Sequence, residues 1–484
     1  METPLTYLKQ RADQDWLVGY DSQKFRQLSQ EFYEKLISLG DRPTPPKILI
    51  AESEPLHFLA SFIAACAADC HVFLCNPHWV EQEWQQVFDL VQPHLVLGNI
   101  LNSDTALLKK GDWGDLTSSK PAQNLSPSIM IPTGGSSGKI KFAIHTWETL
   151  MASVGGFAQY FAGAESSPAS PVSPEGTAPG RGVNSFCVLP LYHVSGLMQF
   201  LRSFTTGGKL VILPFKRLIE KGDRHNIDPS EFFISLVPTQ LVRLLQIDAA
   251  WLSRFHTVLL GGAPAWQELL DTARRHSIRL ASTYGMTETA SQVVTLKPED
   301  FLAGNTSCGQ VLPHAKVTIQ SETGEVLATN QTGIVTIQSN SLAWGYYPEF
   351  FSKSQPFQTD DLGFFDHKGY LTIVGRRSQK IITGGENVFP AEVEAAIQAT
   401  QLVTDICVIG LPDLQWGQVV TAVYVPRSLS ISVADLQAKI VDKLSKFKRP
   451  KYWVAVESLP RNSQGKVNCE ELKQLTISFL METQ

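Results

Sequence analysis

Five short segments place hydroxyl, acidic, basic and glycine residues at spacings suited to work on phosphate groups. TGGSSGKIK (133–141) follows an apolar run. Its glycines would let the backbone approach an anion, Thr133, Ser136 and Ser137 offer hydroxyls around Gly138, and Lys139 and Lys141 supply positive charge. STYGMTET (282–289) ends a second apolar run in hydroxyls, an aromatic ring, Gly285 and the pair Thr287–Glu288. Such a loop could stack a ring on a base, turn a hydroxyl to a phosphate oxygen and hold a magnesium ion by a carboxylate. TDDLG (359–363) sets Asp360 beside Asp361 ahead of a turn at 367–369, where paired acids could hold a metal or two vicinal hydroxyls. GRRSQK (375–380) runs into IITGGEN (381–387), and PRNSQGKV (460–467) presents Lys466 from a glycine-flanked loop. Each segment also has an ordinary reading: a flexible Gly/Ser turn, a strand leading into a helix capped by Thr287, a hairpin turn, a solvated lysine. No Walker-type spacing accompanies the first loop, which excludes a P-loop kinase or ATPase.

The elements that must position these residues follow from periodicity. A polar, helically spaced stretch fills the first 45 residues. Then KILIA (47–51), HVFLCN (71–76) and HLVLGN (94–99) read as strands alternating with helices over 56–68 and 81–91. SFCVLP (185–190), KLVILP (209–214), FFISLVP (232–238) and TVLLGG (257–262) continue the pattern, with helices over 239–246 and 265–276 between them. Alternating strands and helices of these lengths predict βαβ units and a mostly parallel sheet. From Pro313 the period changes to two in KVTIQ, GIVTIQ and YLTIVG, which predicts a small antiparallel or β-barrel-like part. After Gly375 the pattern becomes helix 391–400, strands 405–410 and 419–426, and helix 433–447. The reading is therefore an α/β fold with two domains, a large one over 1–375 and a small α+β one over 376–484, with the junction at 376–380. The Ser/Pro/Ala/Gly-rich stretch 163–182 cannot form a packed core and reads as a solvent-exposed loop.

Composition sets the outer bounds. The chain has 484 residues, 43% hydrophobic and 18% charged, enough apolar material for a sizeable core. A net charge of −5 gives no basic footprint for nucleic acid. No apolar run reaches the roughly 18 residues of a membrane span, and the N-terminus lacks a signal-peptide core. Seven scattered cysteines without a CxxC pair argue against a disulfide scaffold or zinc site. These features predict a soluble, cytoplasmic protein and leave a homo-oligomer open.

The order and spacing of all five segments resemble the adenylate-forming superfamily of acyl- and aryl-CoA ligases, peptide-synthetase adenylation domains and luciferases, over about 47–467. Within it, SLVPTQLVRLL (235–245), LPLYHVSG (189–196), STYGMTETASQ (282–292) and GGENVFPAEVE (384–394) look most like the 2-succinylbenzoate–CoA ligases of menaquinone and phylloquinone biosynthesis. The resemblance implies that a carboxylate attacks the α-phosphate of ATP, giving an acyl-adenylate and pyrophosphate, and that CoA then displaces AMP. It implies that loop 133–141 holds the β- and γ-phosphates. Tyr284 would stack on adenine opposite Gly261, Gly262 and Ala263. Thr287 would bind the α-phosphate, Glu288 Mg²⁺, and Asp361 the ribose hydroxyls with help from Arg376. Lys466 would be the adenylation catalyst. The small domain would pivot at Ser378 to bring Gly384 and Gly385 to the CoA tunnel. His193 and Ser195 would border the acyl pocket. A second substrate carboxylate needs a buried donor; Arg202 is the candidate, with Thr239 and Ser291 as lesser ones, and a surface arginine is the alternative. KFKRPK (446–451) could meet CoA phosphates or be a solvated basic turn.

Four positions depart from the family pattern: Ile140 for a proline, Gly134 for a hydroxyl residue, Asp360 for a glycine, and Ser378 for Asp or Lys at the hinge. A ligase for another small acid, or an idle nucleotide-binding relative, are the rival readings. Retention of Lys466, Glu288, Asp361 and Arg376 opposes the idle one.

Overall fold

The structure is a computed structural model and describes residues 2–38, 44–98, 126–134, 140–162, 182–220, 227–352, 355–384, 386–461 and 467–482. The loop positions Ser136, Ser137, Gly138 and Lys139, the stretch 163–181, Gly385 and Lys466 lie outside the described residues.

The alternation of strands and helices builds two twisted sheets. One runs Leu95–Gly98, Lys47–Ala51, His71–Leu74, Ile129–Gly134 in parallel, then Ile140–His145 and two short strands antiparallel. The other runs Leu17–Val18, Leu210–Ile212, Asn184–Cys187, Phe232–Leu236, Thr257–Leu260 and Leu280–Met286 in parallel, ending in antiparallel Ser291–Thr295 and Gln310–Val311. Strand residues alternate between cores, as a sheet covered on both faces requires. Ile48 and Ile50 face one cluster, Leu49 and Ala51 another with Trp79 and Trp84.

Helices Pro55–Ala67 and Val194–Thr206 fill the space between the sheets. The first starts on a proline behind a Glu54 carboxylate that accepts from the Leu56 amide at 2.9 Å, a favourable N-terminus. Phe200 and Phe204 of the second stack at 5.2 Å and meet Trp16 and Phe25 from the N-terminal segment. Helices Pro238–Ser253 and Gln267–Arg275 cover the outer face of the second sheet.

The period-two region forms a four-stranded antiparallel sheet, Ala315–Gln320, Gly333–Ser339, Phe357–Phe365, Leu371–Arg376. This is the antiparallel pairing expected from the two-residue period, and at its Leu371 edge the Leu371 amide donates to the Gly309 carbonyl and the Cys308 amide to the Leu371 carbonyl, each at 2.8 Å. Beyond the 3-10 turn Arg377–Gln379, Ile381–Thr383 enters a separate sheet with Glu386–Val388, Gly417–Pro426, Val403–Asp413 and, parallel to Gly417–Pro426, Tyr452–Ala455. Helix Val433–Ile440 stops short of the expected 447, because Arg449 turns back to donate to the Leu444 and Val441 carbonyls. Among the described residues no helix is long and apolar enough to cross a membrane.

Candidate active site

The strand Leu280–Met286 ends in a tight turn, Thr287–Thr289, before the chain returns as Ser291–Thr295. The reversal forces Ala290 (φ 52°) and Ser291 (φ 97°) into the left-handed region, which only a well-determined environment sustains. Gly285 is required because a Cβ there would lie 2.0 Å from the Ser291 carbonyl oxygen. Irregular buried backbone must find partners outside regular pairing, and here five consecutive carbonyls each do. Thr287 O accepts from His145 Nε2 at 2.8 Å and Glu288 O from the Ala343 amide at 2.7 Å. Thr289 O accepts from the Ser341 hydroxyl at 2.9 Å, Ala290 O from Ser153 at 2.7 Å, and Ser291 O from Thr289 at 2.6 Å. Apart from the loop's own Thr289, the donors come from the other sheet, from helix Trp147–Ala162 and from the segment after Ser339, so this loop joins three parts of the molecule. Met286 precedes the turn, so the alternative reading of Thr287 as the cap of a helix does not hold.

His145 is fully buried, and that burial pushes its pKa down to about 4 despite the bond to Thr287. A carbonyl cannot donate, so Nε2 carries the hydrogen and Nδ1 faces the Thr149 hydroxyl at 3.0 Å.

Glu288 is 7% exposed, and its carboxylate accepts from the Tyr346 hydroxyl at 2.5 Å. Burial and that carboxylate push the Tyr346 phenol far up. The Lys141 ammonium lies 5.3 Å from the Tyr346 ring, and Lys141 pairs in register with Thr133 across the stems of the phosphate-loop candidate. Among the described residues no three His, Cys, Asp or Glu side chains gather as metal ligands. Magnesium needs no such cage, since it takes one or two carboxylates and completes its shell with phosphates and water. The hard oxygen ligand of Glu288 fits that requirement.

Asp361 and Arg376 face each other across paired strands, with Arg376 Nε 3.3 Å from Asp361 Oδ1. The Tyr284 hydroxyl donates to Asp361 Oδ2 at 2.9 Å; burial, then the carboxylate, drives its pKa far up. The acid pair thus sits inside the strand Phe357–Phe365, not in a turn. Successive strand residues point to opposite faces. Asp361 therefore turns toward Tyr284, while Asp360 turns to the interdomain turn, accepting from the Ser378 amide at 3.1 Å and from its hydroxyl. Two residues that depart from the family pattern are bonded to each other.

Arg202 is 2% exposed, which overturns the surface alternative. Its guanidinium lies 4.0 Å over the Phe157 ring, and Nη2 donates to Ser291 Oγ at 3.2 Å and Gln292 Oε1 at 3.0 Å. Among the described residues no carboxylate pairs with it and its Nε has no partner; burial pulls its pKa to about 9. His314, whose two ring nitrogens are also buried without partners, feels this charge, and burial with Arg202 lowers it to about 4.

Ser291 therefore joins Arg202, whereas Thr239 is exposed on helix Pro238–Ser253 with no described contact to either. His193 stands at the N-terminus of helix Val194–Thr206, its ring 4.5 Å from that of Tyr192, and the Ser195 carbonyl accepts from Gln199. Gly261 packs on Thr283, where a Cβ would meet Oγ1 at 2.4 Å, and Gly262 (φ +82°) and Ala263 are exposed beyond it. Gly384 (φ +59°) lies under Trp416, so close that a Cβ would meet the indole at 2.7 Å. In 446–451, Lys448 pairs with Glu392 at 2.6 Å and Lys451 with Asp413 at 2.8 Å, which neutralises much of that basic run. Sequence reasoning missed His145, Tyr346 and Gln292; the first two sit in no quoted motif, Gln292 ends STYGMTETASQ, and each acts through a partner at least 58 residues away.

The profile of the AMP-binding enzyme family matches residues 23–347, and that of the AMP-binding enzyme C-terminal domain matches 392–466. The chain belongs to the AMP-binding enzyme family. The 2-succinylbenzoate–CoA ligase of Enterococcus faecalis is 35% identical over 310 residues, 61% of this chain and 62% of that protein. The chain thus spans about three-fifths of that curated relative's length. Among solved structures, o-succinylbenzoate CoA synthetase from Bacillus subtilis with the acyl-adenylate intermediate OSB-AMP superposes with a TM-score of 0.79 at 24% identity, covering 96% of this chain and 97% of that one. ATP-bound MatB from Rhodopseudomonas palustris gives 0.76 at 21% identity, covering 98% of each. At these identities the superpositions establish a shared fold.

The loop of this AMP-binding enzyme yields a pH prediction. Between about pH 6.5 and 4 the unfolded chain carries a proton on the His145 imidazole that the folded chain excludes. Stability therefore rises with pH across that window and is lost as pH falls, by on the order of 3 kcal/mol for a fully buried group. The thermal midpoint should drop over this range. His145→Gln, neutral but still a donor, should shrink the drop without abolishing it, because His71 and His314 are likewise held at about 4. An unchanged slope in calorimetry would show that His145 is not the buried neutral base described.

Proposed function

We propose that this chain ligates 2-succinylbenzoate to CoA at the expense of ATP, through an acyl-adenylate. The observation that carries the substrate reading is Arg202. A cation nearly sealed from water, without an acidic partner among the described residues, is costly unless something else supplies the charge. Succinylbenzoate is a dianion. One carboxylate reacts, and the other is the missing partner, with Gln292 and Ser291 orienting the guanidinium. The sequence likeness to the Enterococcus ligase supports the same reading.

In this account Tyr284 and Gly261–Ala263 flank adenine, and Asp361, steadied by Arg376, receives the ribose hydroxyls. Thr287 meets the α-phosphate, and Thr133, Ser136, Ser137, Gly138 and Lys141 cradle the β- and γ-phosphates. A magnesium ion held by Glu288 would supply charge neutralisation at the phosphates. Lys466 bridges the attacking carboxylate and α-phosphate as charge develops, a positioning and electrostatic role that suits phosphoryl chemistry. His193 and Ser195 line the entry of the acid. The large domain is 1–375 and the lid 376–484; rotation at Ser378 withdraws Lys466 and brings Gly384 and Gly385 to the thiol of CoA, so one site performs two reactions in turn. The pathway proposed is menaquinone or phylloquinone biosynthesis.

The decisive test is pyrophosphate release with a panel of acids, with and without CoA. Succinylbenzoate should turn over at least about tenfold faster than benzoate, hexanoate or malonate; equal rates would sink the substrate while sparing the reaction class.

Arg202→Ala should raise KM for succinylbenzoate by roughly tenfold or more, consistent with loss of a charge-assisted bond, while leaving benzoate little changed. No difference between the two acids would remove Arg202 from the pocket.

Lys466→Ala should abolish adenylation, on the order of 10²–10³ in rate, yet spare thioester formation from supplied acyl-adenylate. Equal loss of both half-reactions would contradict the alternating lid.

A further inference from the structure

The small sheet holds two cysteines that are 62 positions apart in the chain. Cys407, on the strand Val403–Asp413, and Cys469, the first residue of helix Cys469–Glu482, face each other with their sulfurs 3.9 Å apart. Ile409, Leu459 and Leu472 pack around them. The two thiols are unequal. Cys469 is partly exposed and starts a 14-residue helix, where the backbone amides favour an anion. The hydrogen bond from Cys407, then the charges of Lys473 and Arg376, lower its pKa. Cys407 is 5% exposed and is pushed far up by its bond to Cys469, by burial and by neighbouring Glu394. Glu394 itself is partly buried, its Oε1 accepting from the Val408 amide at 2.8 Å, and desolvation raises it to about 7. By contrast, burial alone raises Cys75, and the thiols of Cys66 and Cys187 are likewise raised, leaving them inert.

We propose that Cys407 and Cys469 form a peroxide-sensitive dithiol, a reversible oxidation site that fastens the chain just beyond Lys466 to the strand Val403–Asp413. The Cys469 thiolate attacks a peroxide oxygen: an S–O bond forms, the O–O bond breaks, and hydroxide leaves, giving a sulfenic acid. The Cys407 sulfur then attacks that sulfenic sulfur. The S–S bond forms, the S–O bond breaks, and water leaves with the proton of Cys407. In total two thiols are oxidised and one hydrogen peroxide is reduced to two waters. A thiol reductant reverses the bond. Cys469 lies three positions after Lys466, so the bond ties the chain that follows Lys466 covalently to that strand. The effect on rate rests on the role proposed above for Lys466, whereas the thiol chemistry does not.

The test treats reduced full-length protein with hydrogen peroxide under native conditions, followed by peptide mapping and the pyrophosphate assay. We expect a Cys407–Cys469 cross-link as the first oxidation product and a loss of adenylation rate of at least about threefold, both restored by dithiothreitol. Cys407→Ser should instead accumulate a dimedone-reactive sulfenic acid at Cys469, and Cys469→Ala should keep its rate under the same peroxide dose. Oxidation starting at another cysteine, or no cross-link, would overturn the site. A cross-link with an unchanged rate would overturn its control of the lysine segment. A reduced enzyme inactive toward every acid would count against the proposed function and leave the mapping result to judge the dithiol.

Discussion

The turn at 287–291 depends on one constraint: five successive carbonyls, on a backbone bent through two left-handed residues, must be satisfied without regular pairing. A buried carbonyl left alone costs roughly 1–3 kcal/mol, so the loop exists only because His145, Ser153, Ser341 and the Ala343 amide converge on it. Those donors lie on separate elements, and satisfying the loop is therefore the same event as docking the two large sheets and the segment after Ser339 against each other. Thr287 and Glu288 inherit their positions from that docking. Tyr346, one of the elements brought in, then fixes the Glu288 carboxylate.

Arg202 meets the same turn, since its Nη2 reaches Ser291, the second of the left-handed residues, and Gln292 just after it. Its stacking on Phe157 and its amide partner hold the guanidinium rigid without cancelling its charge. That combination suits recognition better than stability. A protein selecting only for stability gains more from an apolar residue in such a place. The turn thus carries Thr287 and Glu288 together with the polar contacts of a buried cation.

The interdomain junction is built on strand alternation. Asp361 and Asp360 are neighbours in sequence and opposite in direction, one bound to Tyr284 and Arg376, the other to Ser378. The contacts with Tyr284 and Arg376 and the contact with the turn between the sheets are therefore carried on adjacent residues of one strand, which mechanically relates the two.

The sequence by itself determined the class of the fold, because period-2 and period-3.6 patterns are local and survive without tertiary context. KILIA and EQEWQQVFDLV formed the strand and helix their spacing implies. It also determined the order of the five chemical segments, since motif spacing is written along the chain. Tertiary structure alone decided whether Arg202 is buried, that Asp360 bonds Ser378, that His145 holds Thr287, and that Cys407 meets Cys469. It also placed the paired acids in a strand. Those outcomes depend on desolvation and on contacts between residues tens to more than a hundred positions apart, which no local pattern encodes. A lone arginine or histidine has the same letter on a surface as in a core, and only packing distinguishes the two.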